Sequence, residues 1–518
     1  MKNDKVPDAL HTGLNVLSMW GQRITGIAVT IIITPIITRH FGLETVGVWL
    51  LVSQLIQHLM LLELGLNSAL TRFLSRHLAS NNKQLVGEYL SATIIILLGI
   101  GVLIVAGAPV VAFLFPKAIS VSTDIDSQIF WLTLLGSITV GLSLPLRTGI
   151  GMLSSVHRFN RLALWEAAAD IIKLSIVVIC FSWYNPSLLT FGLVTFVPML
   201  LANILIFQDG RKCLHGVVLQ WKRPEWTILR TIFSMSGAAL IVTSSALIVR
   251  QSSAMFVGLY LGVIQIPMLA YPILITTSFS PFIIITARII SPIAAQIDVT
   301  GNRKKLYELF TVSARYTTSL SIYFLLVLWA QGDFFLRLWL GTDVITVEQA
   351  DKMHSILLLL FLGFVISVPG IISRAVLSSV GHHWTSASIE LTGAVIGIGV
   401  GVILTIINQD VIGMALGIFV AFSFRGMRLL FWAGRYYFIV SYWKIFKDCL
   451  MLPAVQCCLL FASMNVVSDY WNPSTLWQEA IYDITSISLA WLLSFVLFIM
   501  LAAHRSAALS RLLRVINR

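Results

Sequence analysis

The chain has 518 residues, of which 57% are hydrophobic and 11% charged, with a mean hydropathy of +0.89. Soluble domains carry about 25% charged residues, so a water-soluble enzyme is excluded, as are the disordered, collagen-like and disulfide-scaffold classes. What remains is an all-α polytopic membrane protein, in which about fourteen helices of about 22 residues leave short loops and no large soluble domain. The net charge of +12 then belongs in cytoplasmic loops rather than against nucleic acid.

The first thirteen residues are polar. The apolar segment after them runs to about Thr38, too long for a signal-peptide core, and reads as a retained first span. Apolar runs place the spans at 14–38, 46–67, 89–115, 129–153, 163–183, 189–208 and 230–256. The remaining seven fall at 266–288, 313–332, 353–373, 389–408, 411–431, 449–468 and 480–503. Lys and Arg are distributed unevenly across these spans: 28 of the 35 lie on the side holding both termini, and the opposite side has Arg39, Lys117, Arg337 and Lys352. The positive-inside rule puts both termini in the cytoplasm. The five cysteines, Cys180, Cys213, Cys449, Cys457 and Cys458, make neither a disulfide framework nor a metal spacing.

An internal repeat is visible. Leu144–Glu166 matches Val368–Glu390 without a gap at an offset of 224: Pro145 falls on Pro369, the Leu-Ser-Ser-Val run on its copy, and Glu166 on Glu390. Asn81–Leu90 matches Gly301–Phe310 at an offset of 220. The unit spans six helices, and an even repeat keeps its orientation. Residues 1–210 and 211–447 therefore read as two lobes related by a pseudo-two-fold axis along the membrane normal, with 448–518 an appended helix pair and basic tail. Transporters of this build expose a cavity between lobes alternately to each side.

Charges inside spans usually face a bundle interior or a wet cavity. Arg23, beside Gln22 in span one, is either an anion contact suited to a diphosphate or a snorkelling residue. Gln54, Gln57 and His58 share one face of span two, fit for a sugar or for interhelical hydrogen bonds. Arg250 in span seven is a second anion contact or a helix-end residue, and Arg288 a headgroup anchor or a substrate contact. Asp170 and Lys173, at i and i+3 in span five, are ion-coupling candidates or a neutralised pair, and Glu166 and Glu390 read as structural. Pro145, Pro272, Pro281 and Pro369 interrupt spans. No ATP-binding loop, zinc motif or nucleophile set is present, so no cofactor and no metal are expected. Energy must come from an H+ or Na+ gradient, the membrane potential or consumption of the product.

Several local patterns carry a resemblance: RHFGLETVG at Arg39–Gly47, ELGLNSALTRFLSR at Glu63–Arg76, SPIAAQIDVTGNRKKL at Ser291–Leu306, FLRLWLG at Phe335–Gly341 and GMALG at Gly413–Gly417. The sequence resembles the multidrug/oligosaccharidyl-lipid/polysaccharide exporter superfamily, and within it the polysaccharide branch of Wzx-type flippases. One departure is in span seven, where such proteins often pair an acidic with a basic residue and this chain has Arg250 followed by Gln251. The resemblance implies no enzyme. It implies translocation of a polyprenyl-diphosphate-linked oligosaccharide across a bacterial inner membrane for O-antigen-type lipopolysaccharide. Anionic membrane lipids and the polymerase and chain-length machinery are the implied partners. The rivals are a membrane-embedded polymerase or ligase and an ion-coupled multidrug exporter of the same superfamily.

Overall fold

A computed structural model describes residues 9–63, 65–117, 123–220, 225–299, 301–470 and 483–492. The basic tail Arg505–Arg518, the loop residues Lys222 and Arg223 and most of the fourteenth span lie outside them. The regular structure among the described residues is all helical, with no strand. Hydrocarbon offers no partner for backbone amides, and helices satisfy theirs internally. Ten helical segments among the described residues are long and apolar enough to cross a membrane, one of them, Leu17–Ala79, covering the first two expected spans. This confirms a multi-pass all-α protein without reproducing the count of fourteen. The segment with the expected fifth span fails on charge, since it carries Arg161, Glu166, Asp170 and Lys173.

The helices, in chain order, begin with α1 (Ala9–Met60), α2 (Leu66–Ala79), α3 (Lys83–Lys117), α4 (Thr123–Leu146), α5 (Thr148–Ser155), α6 (Phe159–Trp183) and α7 (Leu188–Cys213). Next come α8 (Trp226–Leu247), a π-turn at Ile248–Ser252, α9 (Ser253–Leu261), α10 (Ile266–Ser278), α11 (Ser280–Val299) and α12 (Arg303–Leu340). The chain continues through α13 (Val347–Ser379), α14 (His383–Asn408), α15 (Val411–Trp432), α16 (Tyr442–Phe446) and α17 (Leu452–Tyr470). Three expectations are corrected here. Spans one and two are two helices, as expected, but a single non-helical residue rather than a longer loop parts them: α1 breaks at Gly42, whose φ of 75° and ψ of 170° are open to glycine. The eighth span is two helices, because α10 stops at Ser278 and α11 restarts at Ser280. Pro281 therefore does not interrupt a helix. It lies at the start of α11, where its missing N–H costs nothing.

The chain forms two compact units. One contains the chain to Leu274, the Leu340–Val344 connection and His383–Ile418. In it the first half of α1 packs on α6, and α3 packs on α4 so closely that a Cβ at Gly101 would meet the Gly141 carbonyl oxygen at 2.3 Å. The amphipathic α2 buries Leu70 and Leu74 against Val86, Leu90, Met152 and Val217. The other unit contains Ile275–Trp339, Ile345–His382 and the chain from Phe419. There α11 packs on α13, whose Gly370 touches the backbone of Gly426. Polar bonds join α12 to the C-terminal helices: Gln331 donates to Asp483 at 2.6 Å, and Tyr323 bonds Ser488 at 2.8 Å. Large apolar side chains such as Leu103 (73% exposed) and Ile407 (69% exposed) point outward, as lipid contact requires.

The duplication is written in the backbone as well. Positive φ angles recur in pairs: Gly42 with Gly262, Asn81 with Gly301, His157 with Gly381 and Gly216 with Ile439. The turn after Asn81 and that after Gly301 are closed alike, since Asn82 Oδ1 accepts from Leu85 N–H at 3.1 Å and Asn302 Oδ1 from Lys305 N–H at 3.0 Å. At the second repeat, Arg158 N–H donates to the Leu153 carbonyl and His382 N–H to that of Leu377, both at 2.9 Å. Left-handed backbone is unfavourable outside glycine, so such coincident positions report shared ancestry of whole turns.

Candidate functional site

All the groups described here lie in the first unit. On α6, Glu166, Asp170 and Lys173 stand at i, i+4 and i+7 and therefore share a face. That face meets α1. Asp170 Oδ2 lies so near α1 that a Cβ added to Gly26 would come within 3.3 Å of it. Lys173 Nζ pairs with Asp170 Oδ1 at 3.3 Å, both side chains being about three-quarters buried. One turn before Gly26, Arg23 lies within electrostatic reach of Glu166, as do Arg147 and Asp170. Among the described residues Arg23 makes no hydrogen bond and no ion pair within 4 Å, and the same is true of Glu166. Arg147 is already engaged, at 2.7 Å, by Glu63 at the end of the second span. Glu63 also accepts from Asn67 Nδ2 at 2.6 Å.

The result is a charged strip running along α1 and α6. Its three cations and three carboxylates balance formally. Two of the carboxylates are neutralised by contact, which leaves Arg23 and Glu166 as a third pair of opposite charges, within electrostatic reach but not in contact. An arginine fork matches a diphosphate in shape as well as charge. Gln22, half-buried beside it, adds an amide.

A second polar group lies where the latter part of α1 meets the π-turn. Gln251 Nε2 donates to Gln57 Oε1 at 2.6 Å, and Ser252 Oγ lies 3.0 Å from His58 Nε2. His58 Nδ1 is 2.7 Å from the Gln54 carbonyl oxygen, which can only accept. Nδ1 therefore carries the proton, and in the neutral ring Nε2 accepts from the Ser252 hydroxyl. Gln54 itself is buried (5% exposed), and its side-chain oxygen has no hydrogen-bond partner among the described residues. Arg250 belongs to the same π-turn, and its Nε donates to the Ala246 carbonyl at 3.3 Å.

Six of the expected residues thus fall into two groups, Gln22 and Arg23 in one and Gln54, Gln57, His58 and Arg250 in the other. Asp170 and Lys173 join the first. Arg288 is on α11, and its side chain lies outside the described set. Sequence reading missed Glu63, Arg147, Glu166, Gln251 and Ser252 as participants. Glu166 reads as a helix-start anion, yet among the charges acting on it Arg23 comes first. Gln251 gave a signal only as the neutral residue following Arg250 where an acidic one was expected, and Ser252 gave none.

Comparisons with known proteins come down on one fold. Residues 15–270 match a family described as polysaccharide biosynthesis protein. A relative, the uncharacterized membrane protein EpsK of Bacillus subtilis (strain 168), is 21% identical over 408 residues, 76% of this chain and 75% of its own. Among solved structures, the lipid II flippase MurJ in an inward closed conformation aligns with a TM-score of 0.66 at 16% identity, over 94% of this chain and 98% of its own. An inward-facing MATE multidrug resistance transporter of the MOP superfamily aligns with a TM-score of 0.65 at 14% identity, over 80% and 96% respectively. A MOP superfamily transporter from Pyrococcus furiosus gives 0.55 at 15% identity, over 84% and 96%.

Proposed function

We propose that the chain is a transporter of the polysaccharide branch of the multidrug/oligosaccharidyl-lipid/polysaccharide exporter superfamily, and that it flips a polyprenyl-diphosphate-linked oligosaccharide from the cytoplasmic to the outer leaflet of a bacterial inner membrane. Both termini are then cytoplasmic, in keeping with the Lys and Arg distribution. The observation that carries the reading is Arg23, a span arginine with no ion pair or hydrogen bond among the described residues, set beside the charged face of α6. A bare cation in a span is costly unless water or a passing anion serves it. The diphosphate meets Arg23, the saccharide meets the polar groups of α1, and the polyprenyl tail stays in lipid. Two six-helix lobes, 1–210 and 211–447, alternate the exposure of this path to either side. Asp170 and Lys173, with Glu166 beside them, are the groups through which an ion gradient would act. Arg250 and Arg288 are further anion contacts, and anionic lipids and the polysaccharide polymerase are the partners. The substrate class makes O-antigen-type lipopolysaccharide assembly the natural setting.

A deletion strain tests this. Lipid-linked oligosaccharide should accumulate without the protein and clear when the intact chain is restored. Arg23→Ala at equal membrane abundance should leave the accumulation in place. Full clearance by Arg23→Ala removes Arg23 from the path, and absence of accumulation in the deletion strain rejects the function. Raised drug susceptibility without accumulation would point instead to multidrug export.

A further inference from the structure

Two successive residues of the π-turn, Gln251 and Ser252, bond two successive residues of α1, Gln57 and His58. An ordinary α-helix turns 100° per residue, and α1 presents the neighbours Gln57 and His58 in that way. A π-turn is wider, and such turns are frequent at functional sites. The four side chains are of one chemical kind: two amides, an imidazole and a hydroxyl, each able to donate and accept. A diphosphate offers acceptors only, and arginine serves it better. Sugar hydroxyls and acetamido groups both donate and accept, which is what the quartet can answer. One turn before His58 on α1, the buried Gln54 Oε1 is an acceptor with no donor among the described residues. Burying a polar atom without a partner is unfavourable, so an unfilled acceptor here marks a place a donor should occupy.

We infer that Gln251 and Ser252 are determinants of saccharide specificity, and that the quartet forms a sugar subsite which bonds to itself when empty and to sugar hydroxyls when occupied. The inference rests on the flippase reading and deepens it: Arg23 recognises the charge common to all such lipids, and the quartet reads the sugar. Self-bonding also means that a headgroup lacking the matching hydroxyls cannot open the clasp without leaving amides unpaired. Specificity of that kind rejects a wrong ligand more strongly than it favours the right one.

The test uses the full-length chain in lipid nanodiscs and two probes: the lipid-linked oligosaccharide extracted from the deletion strain, and undecaprenyl diphosphate without sugar. Gln251→Ala should weaken binding of the oligosaccharide lipid about tenfold, the worth of one or two hydrogen bonds, and leave the sugarless probe unchanged. Gln57→Ala, on the opposite helix, should show the same selective loss, so a folding defect in one variant does not decide the matter. Ser252→Thr, which keeps the hydroxyl, should bind as the unaltered chain does, and Ser252→Ala should not. Equal weakening of both probes, or of neither, overturns the sugar subsite while leaving the flippase standing. Failure of the unaltered chain to bind either probe overturns the flippase reading itself.

Discussion

Arg23 stands about nine residues into its span, roughly 13 Å along the helix, a depth from which a long side chain can still reach headgroups. What distinguishes it from a snorkelling residue is its neighbourhood. The α6 face that influences it carries Glu166 and the Asp170–Lys173 pair, and lipid does not supply such company. Arg23→Ala should reduce transport at least tenfold, since a charge-assisted bidentate contact is worth about 1.5–3 kcal/mol. Arg23→Lys should recover only part of it, because an ammonium is not a planar fork. The Glu63–Arg147 pair has a different role. Its 2.7 Å contact ties the end of span two to the α4–α5 junction, and both side chains are at least three-quarters buried. Arg147→Ala leaves Glu63 half-served and should lower stability by about 2 kcal/mol, read as a lower midpoint of thermal unfolding. An equal loss of transport at unchanged stability would instead place Arg147 in the path.

At the level of helices, the short patterns that signalled kinship prove to be corners and contacts. In RHFGLETVG, Gly42 is the kink of α1, and Gly47 lets α1 come so near Val263 that a Cβ would sit 2.1 Å from its carbonyl oxygen. In GMALG, Gly413 and Gly417 allow α15 against the backbone of α14. In SPIAAQIDVTGNRKKL, Asp298 accepts from the Tyr437 hydroxyl at 2.6 Å, Gly301 turns the chain, and Asn302 caps α12. Gly47→Val should therefore force α1 and the Gly262 bend apart, with loss of folded protein in membranes. Gly42→Ala, at a positive φ with open space around it, should cost only about 1–2 kcal/mol of backbone strain and leave expression measurable. Helix type, rough span positions and the duplicated turns were legible because hydropathy and glycine spacing are local signals. The contacts of the site were not. Gln57 and Gln251 are 194 residues apart, and Arg147 and Glu63 are 84 apart, and nothing in one sequence says which polar residues meet across such distances. The Asp170–Lys173 pair was legible because i and i+3 lie on one helical face.

For the molecule as a whole, the uneven Lys and Arg count makes a sidedness prediction independent of any ligand. In a chain whose five cysteines are replaced, a single cysteine at Lys83 should be protected from a membrane-impermeant thiol reagent in whole cells and react after permeabilisation. A cysteine at Asp343 should react in whole cells. The opposite pattern would invert the protein and with it the direction of transport. Formal balance of the charged strip on α1 and α6 also has a global consequence. An anionic headgroup arriving at Arg23 shifts that balance by its own charge, so transport should respond to membrane potential or to an ion that restores neutrality.

Movement of the headgroup between leaflets is the event on which everything else depends. Proteoliposomes holding a fluorescent polyprenyl-diphosphate oligosaccharide in both leaflets allow it to be read directly, by the fraction open to an added glycosidase. With the intact protein the cleaved fraction should rise from about half toward completion, while empty vesicles and those with Arg23→Ala stay near half. A fraction that remains near half with intact, folded protein, or rises equally with Arg23→Ala, would contradict passage of an anionic saccharide headgroup along the Arg23 face.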